Sequence, residues 1–163
     1  MPLIRDKSEI DDSWTFVEAD DAALPEGDVT VSLARFLADT DALLARNSGF
    51  GVRLQPDDDP YALEPYLDRL SLIEVSFPKY TDGRGYSQAQ LLRRRLGYAG
   101  ELRAVGHVLR DQILYMHRSG FDGYETARAD LSDVVKALNE YSAFYQPGAD
   151  GSRSVFARRH EKA

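Results

Sequence analysis

The residue types best suited to chemistry gather in the stretch Lys79-Tyr80-Thr81-Asp82-Gly83-Arg84-Gly85-Tyr86-Ser87. Two glycines bracket an arginine between a strand-like run and a helix-like one. Glycine permits close backbone approach, Arg84 offers a planar pair of donors, and Ser87 with the first amides of its helix can hold an anion. A second stretch, Gly106-His107-Val108-Leu109-Arg110-Asp111, follows another strand-like run. His107 is expected at or beside a helix N-cap, where the positive helix end disfavours its cation and leaves it able to donate to a ligand or act as a base. Arg110 and Asp111 then fall in the first turn. If Arg84 and Arg110 share one mouth, an anion or carboxylate belongs between them. The predicted ligand site is therefore Lys79, Asp82, Gly83, Arg84, Gly85, Tyr86, Ser87, Gly106, His107, Arg110 and Asp111, with no catalytic residue assigned. The plainer alternatives are a tight turn in which Asp82 pairs with Arg84, and a capping role for His107.

Other chemistries are excluded by residue type. The chain has no cysteine, which removes thiolate catalysis, disulfide exchange and cysteine-ligated clusters. No Walker loop, dinucleotide fingerprint or Gly-x-Ser-x-Gly elbow is present. Asp57-Asp58-Asp59 lacks the pattern of a calcium loop and reads as a helix start before Pro60, so no metal is expected. His117 reads as an edge histidine beside an apolar stripe. Tyrosines 61, 66, 80, 86 and 98 could stack on a flavin or form an interface.

Strand-like segments begin near 50, 72, 101 and 122, and each gap holds a helix-like stretch. Leu63/Leu67/Leu70 mark one such helix, broken at Pro65. Ser87 is predicted to cap one carrying Leu91, Leu92 and Leu96, and Leu109, Ile113 and Met116 stripe the next. Asp130 is predicted to cap a helix with Leu131, Val134 and Leu138. Such a series implies right-handed crossovers. The expected fold is α/β, with a mostly parallel sheet of about four to six strands built from βα repeats, either open or partially β/α-barrel-like. Trp14–Glu18 and Val29–Val31 supply the extra strands. Ser32 caps a helix whose Leu33, Phe36, Leu37 and Leu44 share a face. Residues 14–145 form the single domain, 1–13 a flexible lead, and 146–163 a loop and mobile basic tail. Ligands in such folds bind beyond the carboxyl ends of the strands, which selects loops 55–59, 78–87, 106–110 and 127–130.

The net charge of −7 is unevenly laid out: residues 1–75 carry 17 acids and 6 bases, whereas 84–118 carry 2 acids and 7 arginines. Nucleic acid is disfavoured as a partner of an acidic chain. Arg93-Arg94-Arg95 reads as the wet face of a helix, and an arginine-lined surface suits a small anion or an acidic protein. No apolar run approaches the ~20 residues of a membrane span, and Met1–Asp6 leads into no signal-peptide core, so a cytoplasmic chain without membrane contact is expected.

Particular strings go further. Val75-Ser76-Phe77-Pro78 runs into Asp82-Gly83-Arg84-Gly85-Tyr86-Ser87, then Leu91-Leu92-Arg93, Gly100-Glu101-Leu102-Arg103-Ala104-Val105-Gly106, Val108-Leu109-Arg110-Asp111-Gln112 and Gly120-Phe121-Asp122. In that order they resemble the bacterial family called domain of unknown function 934. The family pattern carries an acid where this chain has His107. The resemblance implies a setting beside haem-containing sulfite reductase and adenylyl-sulfate reductase, and the label of oxidoreductase. In a chain without cysteine, electrons would have to travel on a bound flavin or bypass this protein. The function implied is that of an accessory protein docking on sulfite reductase or its electron donor. The alternatives are a binder of a sulfur oxyanion or phosphorylated metabolite, and a structural homodimer.

Overall fold

A computed structural model describes residues 3–5, 7–19, 22–126 and 131–159. Eight strands form one sheet: β1 (Leu3–Arg5), β2 (Ser8–Ile10), β3 (Thr15–Val17), β4 (Val29–Ser32), β5 (Phe50–Leu54), β6 (Leu72–Phe77), β7 (Glu101–Gly106) and β8 (Gly123–Glu125). Their order across the sheet is β2-β1-β8-β7-β6-β5-β4-β3. From β3 to β8 neighbours are parallel and consecutive in the chain. β1 joins β8 and β2 antiparallel. The fold is thus mixed α/β and mostly parallel, with more strands than the four to six expected.

The additional pair comes from the segment predicted to be flexible. Each of its strands is three residues long, too short for an alternation signal, and β1 is fixed by pairing Leu3 with Glu125. Asp12 is also held, accepting a hydrogen bond from Arg103 at 2.9 Å.

Helices α1 (Leu33–Ala38), α2 (Thr40–Leu44), α3 (Arg84–Gln90), α4 (Ile113–Ser119), α5 (Leu131–Leu138) and α6 (Val155–Arg159) complete the chain. Crossovers that all step the same way with the same hand place their helices on one face of the sheet. That face carries the apolar core: Val29, Val31, Val52, Leu54, Ile73, Val75, Phe77, Leu102, Ala104 and Tyr124 pack with Phe36, Leu63, Leu92, Ile113 and Met116.

Several local expectations shift. Ser32 caps α1 as predicted, accepting from the Arg35 amide at 3.1 Å. The helix then breaks at Asp39, and the Thr40 hydroxyl bonds the Phe36 carbonyl at 2.6 Å. The break turns Leu43 inward and leaves Leu37 48% exposed. The stretch around Leu63 is a 3₁₀ helix, Pro60–Tyr66, with Pro65 inside it. α3 starts at Arg84, so Ser87 lies within it and is not its cap. A π-helical turn, Leu91–Arg95, continues it. Loop 146–152 is tied down, because Arg118 and Arg94 donate to the Gln146 and Pro147 carbonyls at 2.6 and 2.8 Å. Of the predicted mobile tail, Arg158 and Arg159 end α6, while His160 lies outside the described residues. Loop 127–130 and the predicted cap Asp130 also lie outside them.

The sheet is strongly curled. β2 and β3 are its two opposite edges, yet only residues 11–14 connect them. Five residue steps reach at most about 18 Å, whereas eight flat strands would hold their edges about 34 Å apart. The connection closes only if the edges bend towards each other. No strand pairing joins them among the described residues, so the sheet stays open.

The inner face of that curl is polar. Arg53, Glu74 and Arg103 stand opposite one another in register on β5, β6 and β7. Arg103 is 1% exposed and Glu74 2%. Arg53 Nε donates to Glu74 at 2.8 Å, and Arg103 donates to Glu101 at 2.9 Å besides Asp12. No helix among the described residues is long and apolar enough to cross a membrane.

Candidate functional site

The two loops singled out by sequence do come together. Gln112, in a 3₁₀ turn (Arg110–Gln112), donates from Nε2 to the Tyr80 carbonyl at 2.7 Å. Each strand end is shaped by a close approach. The end of β7 packs so tightly on β6 that a Cβ on Gly106 would lie 2.7 Å from the Phe77 carbonyl oxygen. Gly106 also has φ +96°, and the amide of His107 donates to that same oxygen at 2.8 Å. At the start of α3, a Cβ on Gly85 would meet the Phe77 ring at 2.6 Å. Tyr86 packs edge-on against the same ring, and burial pushes its hydroxyl pKa up, with the nearby Asp111 carboxylate adding to the rise.

Gly106→Ala is therefore expected to cost about 2–3 kcal/mol, combining left-handed strain with a backbone clash. Urea denaturation of the two proteins measures it, and an unchanged midpoint would show that β7 can shift away from Phe77.

The two guanidiniums do not share a mouth. Arg84 is 54% exposed and grips Asp82 with two nitrogens, Nε at 3.0 Å and Nη2 at 2.6 Å, while Nη1 pairs with Asp57. Asp82 also accepts from the Arg84 amide at 3.1 Å, while the N-cap position that Ser87 was expected to hold falls to Gly83, which has no side chain to cap with. The hydrogen bonds from Arg84 pull the Asp82 pKa down to about 2. Arg110 instead faces Glu140 at 3.6 Å. Each charge expected to attract an anion already has a carboxylate. His107 is exposed and precedes Leu109, which occupies the N-cap position of the 3₁₀ turn, so it caps no helix. Lys79 is exposed in the turn closed by the Asp82 amide on its carbonyl. The Asp57–Asp59 carboxylates serve locally: Asp57 on Arg84, Asp58 on the Gln55 amide and Asp59 on the Tyr61 amide.

Open space lies instead on the helical side. A cleft of about 600 Å³ separates α3 and its π turn from α4 and loop 146–148, lined by Tyr86, Gln90, Arg94, Asp111, Gln112, Tyr115 and Arg118. A second hollow of about 630 Å³ adjoins it, sharing Tyr86, Gln90 and Arg94 and adding Ser87 and Arg95. Of the predicted site residues, Tyr86, Ser87 and Asp111 face these spaces. Arg118 sits over the Phe144 ring, its Cζ 3.7 Å from the centre. Arg94 and Arg95 are exposed, and no carboxylate among the described residues lies within ion-pair distance of either. Arg93, expected beside them in solvent, is internal. It donates to the carbonyls of Gly120 and Gly100 at 2.9 Å, to that of Tyr98 at 2.5 Å, and to Asp122.

Sequence reasoning passed over the inner row Arg53–Glu74–Arg103. Its signal is visible in retrospect: Val52-Arg53-Leu54, Ile73-Glu74-Val75 and Leu102-Arg103-Ala104 each set one charge at the same station of an apolar strand.

Comparison with known families gives one match. A family model described as a bacterial protein of unknown function (DUF934) covers residues 51–156, from β5 into α6. No curated protein matches the chain.

Proposed function

The chain belongs to the bacterial DUF934 family, and from that premise we propose that it is an accessory docking protein of assimilatory sulfite reduction, engaging sulfite reductase or its electron donor through the α3–α4 face. The partner class comes from the setting that the family resemblance implies. The observation that carries the reading is the pair Arg94 and Arg95, exposed side by side along two adjoining hollows without carboxylate partners among the described residues. A positive patch on a chain of net charge −7 gives the molecule a directional field. Such a field orients an acidic partner and speeds encounter.

The test is surface-immobilised protein exposed to purified sulfite reductase and, separately, to its electron donor. Binding at low ionic strength is expected to weaken steeply as salt rises. Arg94→Glu/Arg95→Glu should abolish it while costing only about 1 kcal/mol of stability, the scale of the one exposed hydrogen bond that Arg94 gives the Pro147 carbonyl. Binding that survives the double reversal, or none to either partner at low salt, rejects the reading.

A further inference from the structure

We propose that the cleft between α3 and α4 is a groove for an extended peptide segment with a basic side chain at one end and an acidic one further along, the basic group held by Asp111 and the acidic group by Arg94. The proposal rests on the docking reading for its partner, and it names the part of that partner which enters the face. The cleft has two electrical ends. α3 and α4 are successive crossovers between parallel strands, so they run side by side in the same direction. Tyr86 and Asp111 therefore lie at one end and Arg94 and Arg118 at the other, all four lining one open space of about 600 Å³. The Asp111 carboxylate acts on the Tyr86 hydroxyl, in keeping with that placement. Asp111 is exposed and makes no hydrogen bond or ion pair among the described residues, and Arg94 meets no carboxylate there. Tyr86 and Arg94 are separated by roughly 10–12 Å of helix, and no ion pair spans the cleft between its two ends.

Between the ends lies an amide. Gln90 is exposed midway from Tyr86 to Arg94 on the same wall, and its side chain has no hydrogen-bond partner among the described residues. A side-chain amide presents an acceptor and two donors, the complement of a peptide unit. The basic end already holds backbone. Arg94 donates to the Pro147 carbonyl at 2.8 Å and Arg118 to the Gln146 carbonyl at 2.6 Å. A stretch of this chain's own irregular backbone is thus bound along the rim by the contacts a foreign segment needs. Tyr115, 64% exposed, adds a flat surface on the opposite wall. An extended chain covers the length of the cleft in about four residues and returns alternate side chains to one face. A base and an acid at that spacing therefore point at Asp111 and Arg94 together.

Nuclear magnetic resonance titration of the full chain at low ionic strength tests the groove. The probes are end-blocked peptides of serine and alanine with lysine and glutamate at the first and fifth positions, in both orders. One order is expected to bind and to shift the amide signals of Gln90, Asp111 and Tyr115. Exchanging its lysine or its glutamate for glutamine should weaken it about tenfold, as loss of a charge-assisted bond implies. Asp111→Asn should weaken the lysine peptide about tenfold and leave its glutamine counterpart unchanged, and Arg94→Gln should do the same at the glutamate end. No binding in either order, equal binding of the lysine and glutamine peptides, or an Asp111→Asn chain that weakens both alike overturns the proposal. The two readings fail separately. Sulfite reductase or donor binding that is lost in Arg94→Glu/Arg95→Glu, with no peptide bound in either order, overturns the groove and leaves docking standing. Peptide binding by a chain that ignores both proteins supports the groove and rejects the docking partner.

Discussion

Arg103→Met is expected to destabilise the protein by about 3–5 kcal/mol, the range found when one partner of a buried ion pair is removed. The arginine is nearly inaccessible and satisfies three carboxylates on different elements: Glu101 on its own strand, Asp12 from the connection between the sheet edges, and Glu74 across the ladder at 3.6 Å. Among the described residues, deleting it leaves Glu74 with Arg53 and Glu101 with Arg5. The loss comes from stranded negative charge rather than from missing attraction. A second change therefore distinguishes the cause. Arg103→Met combined with Glu101→Leu should recover a substantial part of the loss, because it removes the most closely bonded pair together and leaves behind only the exposed Arg5, and apolar replacement of a whole pair is often neutral or better. Equilibrium denaturation of wild type, single and double variants gives the three numbers. A single-variant loss below about 1 kcal/mol, the scale of an exposed pair, would mean that water reaches the inner row.

Arg93→Ala is expected to cost about 3 kcal/mol, against about 1 kcal/mol for Arg94→Ala, which gives up one exposed bond to the Pro147 carbonyl, and about 0.5 kcal/mol or less for Arg95→Ala. Three adjacent arginines look alike in the sequence, but the π-helical turn sends the first inward. Its guanidinium gathers the carbonyls of Tyr98, Gly100 and Gly120 with the Asp122 carboxylate, joining the ends of two helices to the entries of β7 and β8. Asp122 in turn accepts from the Leu102 amide at 3.0 Å. The side-chain stem lies where a Cβ on Gly120 would stand, 2.4 Å from Arg93 Cγ. Arg93→Lys should lose most of the same stability, since one ammonium cannot span four acceptors held in a fork. Thermal denaturation of the four variants separates the three positions. Equal losses at all three would show that the cluster acts through net charge and not through this bond set.

The strands with long apolar runs, β5 to β7, and their intervening helices were legible because burial of one face imposes a period that local sequence must carry. β1 and β2 carry no such period. Their order depends on β8, more than a hundred residues away, and no local window contains that information. At the candidate site a loop after β6 was legible, but its end was not, since α3 begins at Arg84, and neither was the fate of its charges. Arg84 found Asp57 from a neighbouring loop and Arg110 found Glu140 beyond α5, and pairings of that kind belong to tertiary structure alone. Ser87 failed as a cap for a local reason: Asp82 already offered its carboxylate to the Arg84 amide, one turn earlier. The Arg53–Glu74–Arg103 row was the opposite case, plainly written at one station of three strands yet invisible until the strands were aligned side by side.

The pairing of Leu3 with Glu125 has a consequence for how the molecule is made. On the ribosome β1 emerges more than a hundred residues before β8, the strand it pairs with. Until then β1 has no edge to add to, and the rim of the sheet stays an open template for any other extended segment. Contacts so distant along the chain slow folding, and unpaired rims invite association during the delay. Closure of this edge must therefore wait, with a segment made early sealing a strand made late.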